Sequence, residues 1–92
     1  MLEAEELLDE CKGLIIKRGQ QYGEAQTLYK RTATIWSEHL NAQISAADVC
    51  MMMALMKVSR IGEGVGDKAA LKDSYMDAIN YIALAFSLDG ER

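Results

Sequence analysis

Apolar positions recur along the chain at the three-and-four spacing of amphipathic helices, with no sustained alternation of the kind that marks strands. Four such stretches are separated by short polar or glycine-bearing links. The first, over about residues 2–18, places Leu7, Leu8, Cys11, Leu14 and Ile15 at helical spacing. Its acids (Glu3, Glu5, Glu6, Asp9, Glu10) come early and its bases (Lys12, Lys17, Arg18) late, an order that complements the helix dipole. Gly19 suits the left-handed position that closes a helix, so Gly19-Gln20-Gln21-Tyr22-Gly23 reads as a loop. The second helix, about residues 24–40, carries Leu28, Tyr29, Thr32, Ile35, Trp36 and Leu40 on adjoining faces. Ser45-Ala46-Ala47-Asp48 then has the form of a capping box: a serine, with an acid three residues on, opening a third helix over about residues 46–61. The glycine-spaced segment Gly62 to Lys68 reads as a connector or lid. A fourth helix covers about residues 69–88, with 89–92 as a frayed end. The fold class expected is all-α: one four-helix bundle-like domain spanning residues 1–92.

The third helix departs from simple amphipathicity. Val49, Cys50, Met51, Met52, Met53, Leu55, Met56, Val58 and Ile61 wrap nearly its whole circumference, and a helix apolar all round must be covered on all sides. In a chain of 92 residues, half of them hydrophobic, one small core cannot do this alone. The expectation is a homo-oligomer, a dimer or tetramer, joined through the Met-rich third helix. The alternative is an adaptable surface for a foreign protein, since thioethers repack readily.

Charge and composition narrow the setting. The longest uncharged apolar run, Val49 to Met56, is far short of the ~20 residues that span a bilayer, so no membrane partner is expected. No secretory leader opens the chain, and Cys11 and Cys50 lie inside helices without a CxxC motif, which reads as two buried thiols in a cytoplasmic, reducing compartment. The formal charge of −4 argues against an extended nucleic acid as partner but leaves room for a local basic pocket.

The charged residues that resist a surface explanation lie on the last two helices. Lys57 and Arg60 are i,i+3 neighbours on an otherwise apolar helix, and Asp73, Asp77 and Asn80 form an i, i+4, i+7 stripe. Antiparallel packing would turn the two bases toward the two acids. One reading is a pair of salt bridges that fixes helix register. The other is a ligand site, in which the acids hold Mg²⁺ and the bases take phosphate oxygens. Tyr22 and Trp36 offer rings that could stack on a base, although Trp36 also reads as core filler. Glu3-x-x-Glu6 and Glu6-x-x-Asp9 read as a solvated, dipole-compensating face, and His39 as a capping or surface residue. One histidine and two distant cysteines assemble no Ser-His-Asp, Cys-His or zinc cluster.

In combination, Tyr22-Gly23, Ala33-x-x-Trp36-Ser37, Leu55-x-Lys57-x-x-Arg60 and Asp73-Ser74-x-x-Asp77-x-x-Asn80-Tyr81 resemble an uncharacterised all-helical phage and prophage family, similar in turn to the MazG-like all-α nucleoside-triphosphate pyrophosphatases. The likeness runs from Lys17 to Phe86. It implies a bundle that pairs or tetramerises and binds nucleotides among its helices. The related enzymes cut between the α- and β-phosphates with Mg²⁺ held by an ExxE helix and an ExxD helix. On that basis Lys57, Arg60 and Tyr22 are candidates for phosphate, Asp73, Asp77 and Asp48 for metal, and Asn80, Tyr81 and Trp36 for the rest of the pocket. The pattern is incomplete: Asp48 is followed three residues later by Met51, and Asp73 and Asp77 stand four apart. Three functions stay open: a MazG-like nucleotide binder with Mg²⁺-dependent pyrophosphohydrolysis, a non-catalytic binder or inhibitor from a mobile element, and a helical protein-interaction module.

Overall fold

The computed structural model describes residues 3–22, 24–64 and 66–89, the side chains of Gln21 and Tyr22 excepted. It is built of four helices: α1 (Ala4–Tyr22), α2 (Ala25–Leu40), α3 (Ala46–Glu63) and α4 (Lys68–Asp89). Among the described residues there are no strands.

Local chemistry accounts for most of the boundaries. At the start of α3 the capping box is complete. The Asp48 N–H donates to Ser45 Oγ at 3.0 Å, and the Ser45 N–H donates to Asp48 Oδ2 at 2.9 Å. The Asp67 carboxylate accepts from the Ala70 N–H at 2.9 Å and caps α4 in the same way. Helix α2 ends on Asn41 in the left-handed conformation (φ 50°), and the Ala42 N–H returns to the Ser37 carbonyl at 3.1 Å. Ser37 Oγ then exchanges hydrogen bonds with the Ile44 backbone at 3.0 and 3.1 Å, tying the α2–α3 link to the helix it leaves. Gly64 (φ 71°) closes α3.

The end of α1 differs from the sequence expectation. The helix does not stop at Gly19 but continues three residues further, to Tyr22. An interior glycine costs a helix about 1 kcal/mol relative to alanine, and α1 runs through Gly19 all the same.

The spine is an antiparallel α3–α4 pair. Ala47, Cys50 and Ala54 put a narrow, small-residue stripe on α3, and Ala78, Ala85 and Leu88 answer it on α4; Cys50 is wholly buried and Val49 is 1% exposed. Ala47 and Cys50, early in α3, pack with Ala85 and Leu88, late in α4. Helix α2 lies along α3, and α1 along α4. Side-chain contacts join α1 to α4 along their length, among them Lys72 Nζ to Glu10 at 2.9 Å and the Cys11 thiol to the Met76 carbonyl at 3.9 Å. Burial raises the pKa of both thiols, that of Cys50 to about 11; for Cys11 the nearby Glu10 and Asp77 charges add to the effect.

This arrangement is more open than a filled bundle. Its radius of gyration is 14.1 Å, against about 12 Å for a compact domain of this length. The accessible surface is 6733 Å², roughly 1,400 Å² more than surface scaling gives for a compact monomer of 10.2 kDa. Within the single chain the apolar α3 positions Met51, Met52, Leu55, Met56 and Val58 are 38–61% exposed.

Candidate functional site

Late in α3 the buried stripe Ala47, Cys50, Ala54 continues to position 57, where the residue is lysine. Its side chain follows the helix junction and is only 19% exposed. Lys57 Nζ lies 3.1 Å from Asp77 Oδ2 on α4. Arg18 Nη1 of α1 approaches the other oxygen of the same carboxylate, Oδ1, at 3.3 Å. One aspartate, 15% exposed, thus holds two cations from two different helices.

Asp77 also forms part of the wall of a cavity of about 310 Å³ where the C-terminal half of α1, the start of α2 and the middle of α4 meet. Arg18, Glu24 and Asp77 supply its charged groups. The remaining wall is largely apolar or aromatic: Ile15, Leu28 and Leu84, with the phenols of Tyr29 and Tyr81. The two tyrosine rings meet edge to face, centroids 6.3 Å apart and planes 76° apart. Burial, reinforced by Tyr81, pushes the Tyr29 phenol well above its ordinary range, so it remains a neutral hydroxyl.

Asn80 completes the wall. It is 4% exposed, and neither amide atom finds a hydrogen-bond partner among the described residues. An amide buried without partners costs about 1–3 kcal/mol, so native interiors rarely keep one.

The structure brings together part of the set expected from sequence. Lys57 and Asp77 pair as anticipated, and Asn80 and Tyr81 line the cavity. Arg60 and Asp73 do not join them. Both are exposed, and neither has an ion-pair partner among the described residues. Asp48 is engaged in the capping box at the far end of α3. Trp36 is half-buried on α2 and lies outside the cavity wall. The side chain of Tyr22 lies outside the described residues.

Arg18 takes the place assigned to Arg60. Read as a dipole-compensating base near a helix end, it gave no local signal of a partner 59 positions away. Glu24, Leu28 and Tyr29 likewise read as ordinary helix positions. Among the described residues no three carboxylate, thiol or imidazole side chains converge on a point that could hold a metal ion. Asp77 alone, already held by two cations, is not the oxygen-rich set that a divalent cation takes.

With this geometry in view, comparison with known proteins gives a family. The model of a domain of unknown function, DUF6378, matches residues 6–89. The chain belongs to the DUF6378 family. It is also similar to the Gene 55 protein of Mycobacterium phage D29, with 34% identity over 79 residues, 85% of this chain and 50% of the phage protein. The chain thus spans about half the length of that curated relative. No solved structure matches the chain. The family match covers all four helices except the first residues of α1, so the cavity wall and the Arg18–Asp77–Lys57 cluster fall inside the family domain. No helix among the described residues is long and apolar enough to cross a membrane.

Proposed function

We propose that this DUF6378 chain binds a nucleotide-type anionic ligand in the α1–α2–α4 cavity and acts as a binder, without metal-dependent hydrolysis by its own carboxylates. The observation that carries this reading is the pairing of Arg18 and Lys57 with the single carboxylate of Asp77 at the cavity wall. Two cations meet one aspartate beside an apolar hollow, in a chain whose overall charge is −4. With Glu24 also in the wall the four charges formally balance, so an anion would bind by drawing Arg18 and Lys57 from Asp77. A phosphate or polyphosphate would take oxygens to the guanidinium and the ammonium, the residue types that suit it. The resemblance of the chain's sequence motifs to the MazG-like pyrophosphatases supports a nucleotide as the ligand class.

Thermal-shift and calorimetric titrations with nucleoside triphosphates, with and without Mg²⁺, test this directly. The reading expects stabilisation that persists in EDTA and no release of pyrophosphate. Mg²⁺-dependent turnover abolished in Asp77→Asn would overturn the binder reading in favour of a pyrophosphatase. The absence of any nucleotide-induced shift would remove the site.

We further propose a second copy of the chain as the cover of the exposed α3–α4 face. Met51, Leu55 and Val58 on α3 and Tyr75, Ile82 and Phe86 on α4 form apolar stripes at helical spacing, Phe86 being 83% exposed. The roughly 1,400 Å² of surplus surface exceeds the ~800 Å² that each partner contributes to a standard interface. Sedimentation tests this, with a monomer at all concentrations as the contrary result.

A further inference from the structure

Asn80 is the residue that the anion reading does not use. In an interior otherwise assembled from apolar groups and satisfied caps, it keeps an amide donor and an amide acceptor buried and unpartnered, in the wall of the cavity. Side-chain amides offer donor and acceptor side by side, and their natural complement is an edge presenting an acceptor beside a donor. Nucleobases carry such edges, and asparagine meets adenine in this bidentate way. Inorganic polyphosphates carry no edge of this kind.

We infer that Asn80 is the residue that reads the heterocycle: the ligand enters with a planar base edge against the Asn80 amide and its phosphates toward Arg18 and Lys57. This rests on the anion-site reading and goes beyond it by assigning the ligand a base and an orientation. Tyr29 and Tyr81 line the same wall as Asn80 and supply aromatic surface for a planar partner. The cavity volume of about 310 Å³ is at the small end of the range for small-molecule sites and suits one base with its sugar. The amide atoms are covered in the free chain. Engagement therefore requires rotation about the broad terminal torsion of Asn80 and a small shift of the neighbouring rings.

The test uses calorimetry and thermal melting on the wild-type chain, Asn80→Leu and Asn80→Ala, with the four common nucleoside triphosphates and inorganic triphosphate as probes. In the wild type at least one nucleotide should bind ten-fold or more tightly than inorganic triphosphate. Both variants should lose that preference while keeping their affinity for inorganic triphosphate. At least one should melt about 4 °C or more above the wild type, because removing an unpartnered buried amide stabilises the free chain. A preference that survives both substitutions overturns the inference, as does a lower melting temperature, or loss of folding, in both. Equal binding of nucleotides and inorganic triphosphate to the wild type would sink the base-reading role while leaving the anion site standing. Failure of every probe to bind would sink the anion site itself.

Discussion

Two hollows of similar size lie on this molecule, and their walls differ in kind. The α1–α2–α4 cavity, about 310 Å³, contains a carboxylate held by two cations, a buried amide without partners and two phenols. The groove on the α3–α4 face, about 260 Å³, is bounded by Ala47, Met51, Ile82, Ala85 and Phe86, with Asp89 as its one charged residue. Apolar surface alone is satisfied by any apolar cover, and a second copy supplies it at no cost in polar desolvation. Buried polar groups are different. They cost free energy until something of matching chemistry meets them, so they are retained where a ligand supplies it. The first hollow is accordingly read as a ligand site and the second as an interface.

The strongest way to break this comparison is to charge the apolar face. Leu55→Glu combined with Phe86→Glu alters two residues that are 61% and 83% exposed, so each folded protomer should survive with unchanged helicity. Self-association should weaken by at least about 30-fold, the effect of losing one interface hot spot, as read by sedimentation equilibrium. Nucleotide binding should be retained. If association is unaffected, the face is not the interface. If binding falls with assembly, the two hollows are one site.

Next in size is the removal of cations from the cavity. Charge-assisted hydrogen bonds contribute about 1.5–3 kcal/mol each, so Arg18→Ala or Lys57→Met should lower nucleotide affinity by roughly 10- to 100-fold in calorimetry, with sedimentation unchanged. A third expectation concerns pH. The Cys50 thiol, ordinarily near 9, is raised to about 11 by burial, so the folded chain holds a proton that the unfolded chain releases. Its contribution is fully present below pH 9 and is lost between pH 9 and 11, amounting to about 2–3 kcal/mol. Denaturation of Cys50→Ala across that window should show a shallower decline than the wild type; parallel curves would contradict the assignment.

The smallest effect sharpens the boundary of the site. Arg60→Ala and Asp73→Ala remove exposed charges outside the cavity, and each should change stability and binding by no more than about 0.5 kcal/mol. A larger loss of binding would extend the site beyond the wall described.

The contrast between Arg60 and Arg18 also explains how far the sequence was legible. The four helices follow from periodicity, and the opening of α3 from Ser45 and Asp48, because caps are local chemistry read from three or four neighbouring residues. The Lys57–Asp77 pair was legible because a lysine on an apolar helix and a polar stripe on the next helix have few other places to meet. Arg60 and Asp73 were grouped with them since spacing alone does not say which side chains are buried enough to pair. Arg18 was missed for two reasons: Gly19 beside it reads as a stop, and nothing local marks a pairing between α1 and α4. The buried state of Asn80 was equally hidden. A polar residue on a helix reads as half-exposed until its neighbours α1 and α2 are known.

The most direct measurement is an amide chemical-shift titration of the wild-type chain with a nucleoside triphosphate. The account predicts perturbations concentrated at positions 15–19, 24–29, 57 and 77–84, with the exposed α3 positions Met51, Leu55 and Val58 little changed. Perturbations confined to that face, or none at millimolar ligand, would contradict it.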